Sequence, residues 1–340
     1  MTAGWWEPGA CEVVPGVHRV PLPLPLDGLR AVNVYVIEET DGLCLIDGGW
    51  ALEISERELT IALKSIGYGL GDIRRFLVTH VHRDHFTQAV VLRDRLGAQV
   101  GLGAGERESL VLIREQEPGR PQLRGLERAG AEPLLAAWRE WMRNEVRDLS
   151  IWSDPDVWLE DRETVVVGER ELEVIATPGH TQGHVVFADA RHGVLFAGDH
   201  VLPHITPSVG FEPVAADLPL GDYLRSLAKV RRLPDLQLLP AHGSTGGSLH
   251  ERVDELLEHH RQRLSLCAGL LNLRGRTAYE IAADMPWTSR SRSLAELDAF
   301  NSTLAVLEAA AHLDVLVARG EASSRIDGNI IYYSSIPQER

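Results

Sequence analysis

The 340-residue chain is poor in cysteine, poor in lysine and free of long apolar runs. Three cysteines, Cys11, Cys44 and Cys267, are too few and too scattered for a disulfide framework or a thiolate zinc site. They are expected to be buried free thiols. No run approaches the ~20 apolar residues that a membrane helix needs, so no membrane partner is expected. Met1–Pro25 lacks a basic segment followed by an apolar one, which makes a cytoplasmic location the expectation. Positive charge is scarce as well. Lys64 and Lys229 are the only lysines, and 34 basic residues face 49 acidic ones, for a net charge of −15. A phosphate-backbone binder wants a basic face, so nucleic acid is disfavoured as a partner. What remains is a soluble, globular composition, long enough for one large domain or two.

The first part of the chain reads as strands at Val17–Pro21, Ala31–Glu38 and Gly42–Ile46, the last ending at Asp47-Gly48-Gly49. A helix is expected over Leu52–Ile66, then a strand from Phe76, a helix to about Leu96 and a short strand at Gln99–Leu102. Residues from about 105 to 161 break this alternation. Leu134, Leu135, Trp138, Trp141 and Met142 fall at helical spacing, which predicts a helical insertion. Its tryptophans, with Trp152 and Trp158, either pack it onto the body or line a lid; both can hold together. Hairpins are expected around Gly168-Glu169-Arg170 and Asp189–His192. A helix over Leu220–Leu233 and a buried strand at Leu236–Leu239 lead to Pro240-Ala241-His242-Gly243. After Ser248 the pattern is long helix (Leu249–Leu271), short helix opened by a capping box at Thr277–Glu280, helix (Leu294–Arg319), then a strand pair turning at Asp327-Gly328. That order is winged-helix-like. Two domains follow, 1–248 and 249–340.

The densest chemistry is His80-Val81-His82-Arg83-Asp84-His85, on a strand-to-helix loop. Histidine is the commonest zinc ligand, and a carboxylate is its usual partner in catalytic sites. Further candidates recur at turns and strand ends: His180 in Thr177–His184, Asp199 in Ala197-Gly198-Asp199-His200, and His242. Together these segments resemble the metallo-β-lactamase-fold hydrolases, whose signature is His-x-His-x-Asp-His. The resemblance covers about Val17–Gly243 outside the insertion. It implies an α/β, four-layered αββα fold with two metal sites. His80, His82 and His180 would bind one ion, Asp84, His85 and His242 the other, and Asp199 would bridge them. Asp84 would also be catalytic, steering the nucleophile. Asp47 is either a support for the metal loop or a turn-forming residue. His184 reads as structural or supporting, His200 as pointing away from the site, and His204 as a candidate substrate contact. His259 and His260 read as solvated or packed.

Nitrogen and oxygen ligands without thiolate suit two divalent ions, zinc first, with iron or manganese compatible. A hydroxide shared by such ions would attack a small acyl substrate: a thioester, ester or lactone. Alternatives are a metal-dependent endoribonuclease or phosphodiesterase, and a non-hydrolytic di-iron or sulfur-oxidising protein. The C-terminal pattern resembles the β-lactamase-like subgroup with a winged helix, which includes thioesterases and some single-strand endoribonucleases. From Glu251 to Arg340 there are 10 basic and 13 acidic residues, so that region is no evident nucleic-acid reader. Self-association through it, as a homo-oligomer, is compatible with catalysis.

Overall fold

The structure is a computed structural model and describes residues 4–25, 28–115, 120–143, 148–214, 216–288 and 291–337. The chain forms two compact units. One comprises Met1–Arg114, Asp148–Pro207 and Ser226–Asp254; the other comprises Glu115–Arg147, Ser208–Arg225 and Glu255–Arg340. This grouping is interleaved, which differs from the linear division expected after residue 248.

The first unit opens with β1 (Cys11–Val14), β2 (Val17–Pro23), β3 (Ala31–Glu39) and β4 (Gly42–Ile46), joined antiparallel in that order. After α1 (Glu53–Ser65) the pairing turns parallel: β5 (Ile73–Val78) on β4, then α2 (Arg83–Leu96) and β6 (Gln99–Gly103). The chain runs through α3 (Arg107–Glu115), α4 (Arg120–Arg128) and α5 (Glu132–Arg143) before β7 (Val157–Leu159) completes the seven-stranded sheet against β6. The expected insertion is therefore helical but shorter, because its last residues, Trp158 among them, belong to a strand. Residues 116–119 and 144–147 of that stretch lie outside the described residues. A second sheet has the order β12-β11-β10-β9-β8, built from β8 (Thr164–Val167), β9 (Arg170–Ala176), β10 (Val185–Asp189), β11 (Val194–Gly198) and β12 (Gln237–Pro240). Helix α6 (Pro219–Val230) precedes β12. Both expected hairpins are present, with Val167 opposite Arg170 and Asp189 opposite Val194.

Strand alternation sorts the apolar side chains. Val34, Val36, Leu43, Leu45, Phe76 and Val78 join Leu59, Leu63, Phe86 and Val90 of α1 and α2 in one core. Their neighbours Tyr35, Ile37, Cys44, Ile46 and Leu77 face the other way and pack with Val174, Val185, Phe187 and Phe196 between the sheets. This is the layered α/β fold expected. On the far side of the second sheet Val186, Leu195 and Leu238 are also buried, and Lys229 of α6 bonds the carbonyl of Ala176 at 3.0 Å.

In the second unit, α7 (Leu249–Leu270), β13 (Arg276–Thr277), α8 (Ala278–Asp284), α9 (Ala299–Ala318), β14 (Ala322–Asp327) and β15 (Ile330–Ser335) follow one another, and the strands form a sheet ordered β13-β15-β14. The capping box at Thr277 and Glu280 is formed. The single helix expected over Leu294–Arg319 is broken. Ser293 and Glu296 close a short 3₁₀ turn, and Asp298 then caps a new helix by accepting the amide of Asn301. Two N-caps within six residues cannot sit inside one helix. Helix α9 is also long and apolar enough, by composition, to cross a membrane, which the expectation overlooked; 61% of its apolar window is buried inside the protein. Trp138 is buried and stacks on Trp141 at 4.9 Å, beside Phe211 and Phe300. Cys44 and Cys267 are buried as expected, but Cys11 is exposed because it lies on the edge strand β1.

Candidate metal centre

The two sheets deliver their ligand-type residues from strand ends, where the backbone leaves the ladder and side chains can converge. His80, His82, Asp84 and His85 follow β5 and open α2; His180 lies between β9 and β10; Asp199 follows β11; His242 follows β12. All seven meet. His80, His82 and His180 form one group, Asp84, His85 and His242 a second, and His80, His85 and Asp199 a third that joins them, with ligand atoms within 4.8 Å in each. Asp199 faces both sides. Its Oδ2 lies 3.5 Å from His180 Nε2, and its Oδ1 lies 3.3 Å from His242 Nε2 and 3.7 Å from His85 Nε2. Asp84 Oδ2 is 3.6 Å from His85 Nε2 and 3.5 Å from His242 Nε2. His82 Nδ1 and His180 Nε2 are 3.0 Å apart.

These residues fit a pair of divalent ions. Tetrahedral bonds of about 2.0–2.1 Å hold neighbouring ligand atoms about 3.3 Å apart, close to the separations here. Moreover, His80 Nε2, His85 Nε2, His242 Nε2 and Asp199 Oδ1 are buried and have no hydrogen-bond partner. Buried polar atoms are rarely left so, and here they converge on a gap that a cation would fill.

The tautomers follow from the partners. Asp47 accepts from the amide and hydroxyl of Thr79 and, at 2.9 Å, from Nδ1–H of His85. The Thr79 hydroxyl oxygen in turn accepts from His80 Nδ1–H at 3.1 Å. His242 Nδ1–H donates to the carbonyl of Ala31 at 2.8 Å. Each bond leaves Nε2 as the ring atom facing the centre. His184 is different. Its Nε2 accepts the amide of Asp199 at 3.1 Å, and its Nδ1–H donates to Thr177 Oγ1 at 2.8 Å. It therefore holds Asp199 and offers nothing to an ion. His200 is buried outside the three groups. His204 is exposed, its Nε2 3.5 Å from Ser244 Oγ, just beyond His242.

The electrostatics divide the cavity. Burial lowers His85, but the charges of Asp84, Asp47 and Asp199 outweigh it and raise the imidazole to about 10, so an ion bound there would displace its proton. Burial, then the neighbouring imidazoles, holds His80 well below the usual histidine range and His82 at about 3. Burial raises Asp84, but the charges of His85, His242 and His82 outweigh it and bring the carboxyl to about 2.

Three residues that motif reading passed over complete the frame. Asn33 Nδ2 donates to the carbonyls of Pro240 and Gly243, both at 2.9 Å, and the Tyr35 hydroxyl donates to Pro240 at 2.7 Å. Together they brace His242 from β3. Glu106, fully buried after β6, accepts from the amide of Val81 at 3.2 Å and from the hydroxyl of Thr181. Burial lifts its carboxyl above the usual range. Their shared signal is a polar residue inside an apolar strand or at its end, a weak one without the pairing.

Comparison with known proteins adds three findings. The profile of the Metallo-beta-lactamase superfamily matches residues 27–242. The "Probable metallo-hydrolase YqjP" of Bacillus subtilis is 25% identical over 337 residues, covering 94% of this chain and 97% of that protein, and the "Hydroxyacylglutathione hydrolase GloC" of Haemophilus influenzae is 26% identical over 65% of this chain and 89% of its own. A crystal structure of a beta-lactamase domain protein from Burkholderia ambifaria superposes with a TM-score of 0.81 at 27% identity, over 96% of this chain and 94% of that one.

Proposed function

The chain belongs to the metallo-β-lactamase superfamily, and from that premise we propose that it is a dinuclear metal-dependent hydrolase that cleaves a small acyl compound: a thioester, ester or lactone. One observation carries this reading: seven side chains from four segments form two adjoining groups with Asp199 facing both. His80, His82 and His180 would hold one ion, and Asp84, His85 and His242 the other. Two bound divalent ions, zinc first on this donor set, supply Lewis acidity and a nucleophile formed from water near neutral pH. The protein's own residues set the stage for that chemistry. Asp47 and Ala31 fix His85 and His242 in the Nε2-ligating tautomer. His184 aims the Asp199 backbone. Asp84, with its carboxyl brought to about 2 and so ionised near neutral pH, would orient the water-derived nucleophile rather than carry its proton.

The acyl class is supported by likeness and charge. GloC is named for an acyl-glutathione substrate. A net charge of −15 works against polyanionic substrates. We read α7 to β15 as winged-helix-like, suited to self-association rather than nucleic acid, since Glu251–Arg340 carries 10 basic against 13 acidic residues. The test is a matched panel: the metal-replete protein against thioesters, lactones and single-stranded RNA. The expected result is turnover of one acyl class with kcat/KM of at least about 10⁴ M⁻¹s⁻¹, abolished in His82→Ala. Cleavage of RNA with no acyl turnover would reject the acyl reading.

A further inference from the structure

We propose that Glu106 is a positioning residue that sets the three-histidine site alone. One carboxylate oxygen, Oε1, accepts from two loops at once: the amide of Val81, between His80 and His82, and the hydroxyl of Thr181, next to His180. Those are the two loops that supply the His80–His82–His180 group. The other group is held by different means, His85 by Asp47 and His242 by Ala31.

A second observation, independent of these bonds, places Glu106 at a point where the chain has no slack. A Cβ added at Gly183 would collide with the backbone nitrogen of Glu106. One at Gly103 would collide with the carbonyl of Gly183, and one at Gly105 would stand 2.8 Å from the carbonyl of Gln182. The backbone of 103–106 thus lies directly against the His180 loop. With the carboxylate anchored there, His80 and His82 are drawn toward His180 through two short hydrogen-bonded links. Removing Oε1 frees both loops at once and leaves two buried donors without an acceptor.

This inference rests on the two-metal reading above, and its test separates the two. Metal-free protein is titrated with Zn(II) alone, with stoichiometry by elemental analysis, and with Co(II), followed by its visible spectrum. The wild type is expected to take two ions. Glu106→Ala should lose about 10- to 100-fold in affinity at one site only, with an altered Co(II) spectrum. Glu106→Gln keeps the acceptor oxygen and should recover near wild-type affinity. Thr181→Val, nearly isosteric, removes one of the two bonds and should weaken the same site even if Glu106→Ala fails to fold. If wild-type protein takes up no metal, the two-metal reading itself falls. If it takes two ions and Thr181→Val and Glu106→Ala match it at both sites, or weaken both sites equally, Glu106 has no site-specific role.

Discussion

Asp47 carries a positive φ of 62° and spends both carboxylate oxygens on Thr79 and His85. A carboxylate can only accept, so His85 presents Nδ1–H to it, and the proton that an ion would displace is the one on Nε2. Asp47→Asn offers an amide in its place. The amide nitrogen donates, which favours the opposite tautomer and puts a proton on the ligating atom. The expected outcome is a loss of about 10- to 100-fold in affinity at the site of Asp84, His85 and His242, read by Zn(II) titration. Unchanged affinity at that site would remove Asp47 from the metal frame. At this scale the convergence of the seven ligand-type residues was legible, because the six-residue cluster is local and each later one has a glycine beside it. Asn33 and Tyr35 were not. Their partners lie more than 200 residues away in the chain, and only the paired sheets bring them together.

Helices α7 and α9 each bury an imidazole, and the two rings stack at 5.3 Å with His260 Nδ1 3.2 Å from His312 Nε2. His312 Nδ1–H donates to the carbonyl of Glu308, so His312 Nε2 is the acceptor and His260 the donor. Burial, then the charges of His312 and His259, lowers His260 to about 2; burial outweighs the Glu308 bond and lowers His312 to about 4. The folded state therefore binds fewer protons than the unfolded chain between the ordinary value of 6.5 and those lowered values. Stability from this pair is present above about pH 6.5 and declines as pH falls, by up to about 1.4 kcal/mol per pH unit for each ring. Denaturant unfolding of metal-free protein over this range should show a shallower pH slope in His312→Gln; parallel slopes would exclude the pair as its source. The helices were visible from apolar spacing. The break before α9 was not, because Glu296 and Asp298 read as ordinary polar positions until their carboxylates are seen accepting the backbone amides of Ser293 and Asn301. Strands β1 and β7 escaped because short, partly exposed segments carry little periodic signal.

For the whole molecule, ions bound only by the folded chain add stability by mass action. At a free concentration of 100 times Kd, one such ion contributes about 2.7 kcal/mol. Calorimetry before and after chelation should show a clear fall in Tm, restored by Zn(II). An identical Tm in both states would mean that the folded protein gains nothing from metal. The layered fold was legible from alternating strands and helices, because one apolar face per element demands a partner layer. The grouping of residues into units was not, since 115–147 and 208–225 declare helices and loops without declaring which core receives them. The chain passes from one unit to the other five times. Neither unit is therefore a cassette. A gene cut after residue 248 would strip residues 115–147 and 208–225 of the segment they pack with, and no single crossover in recombination could exchange one unit for another.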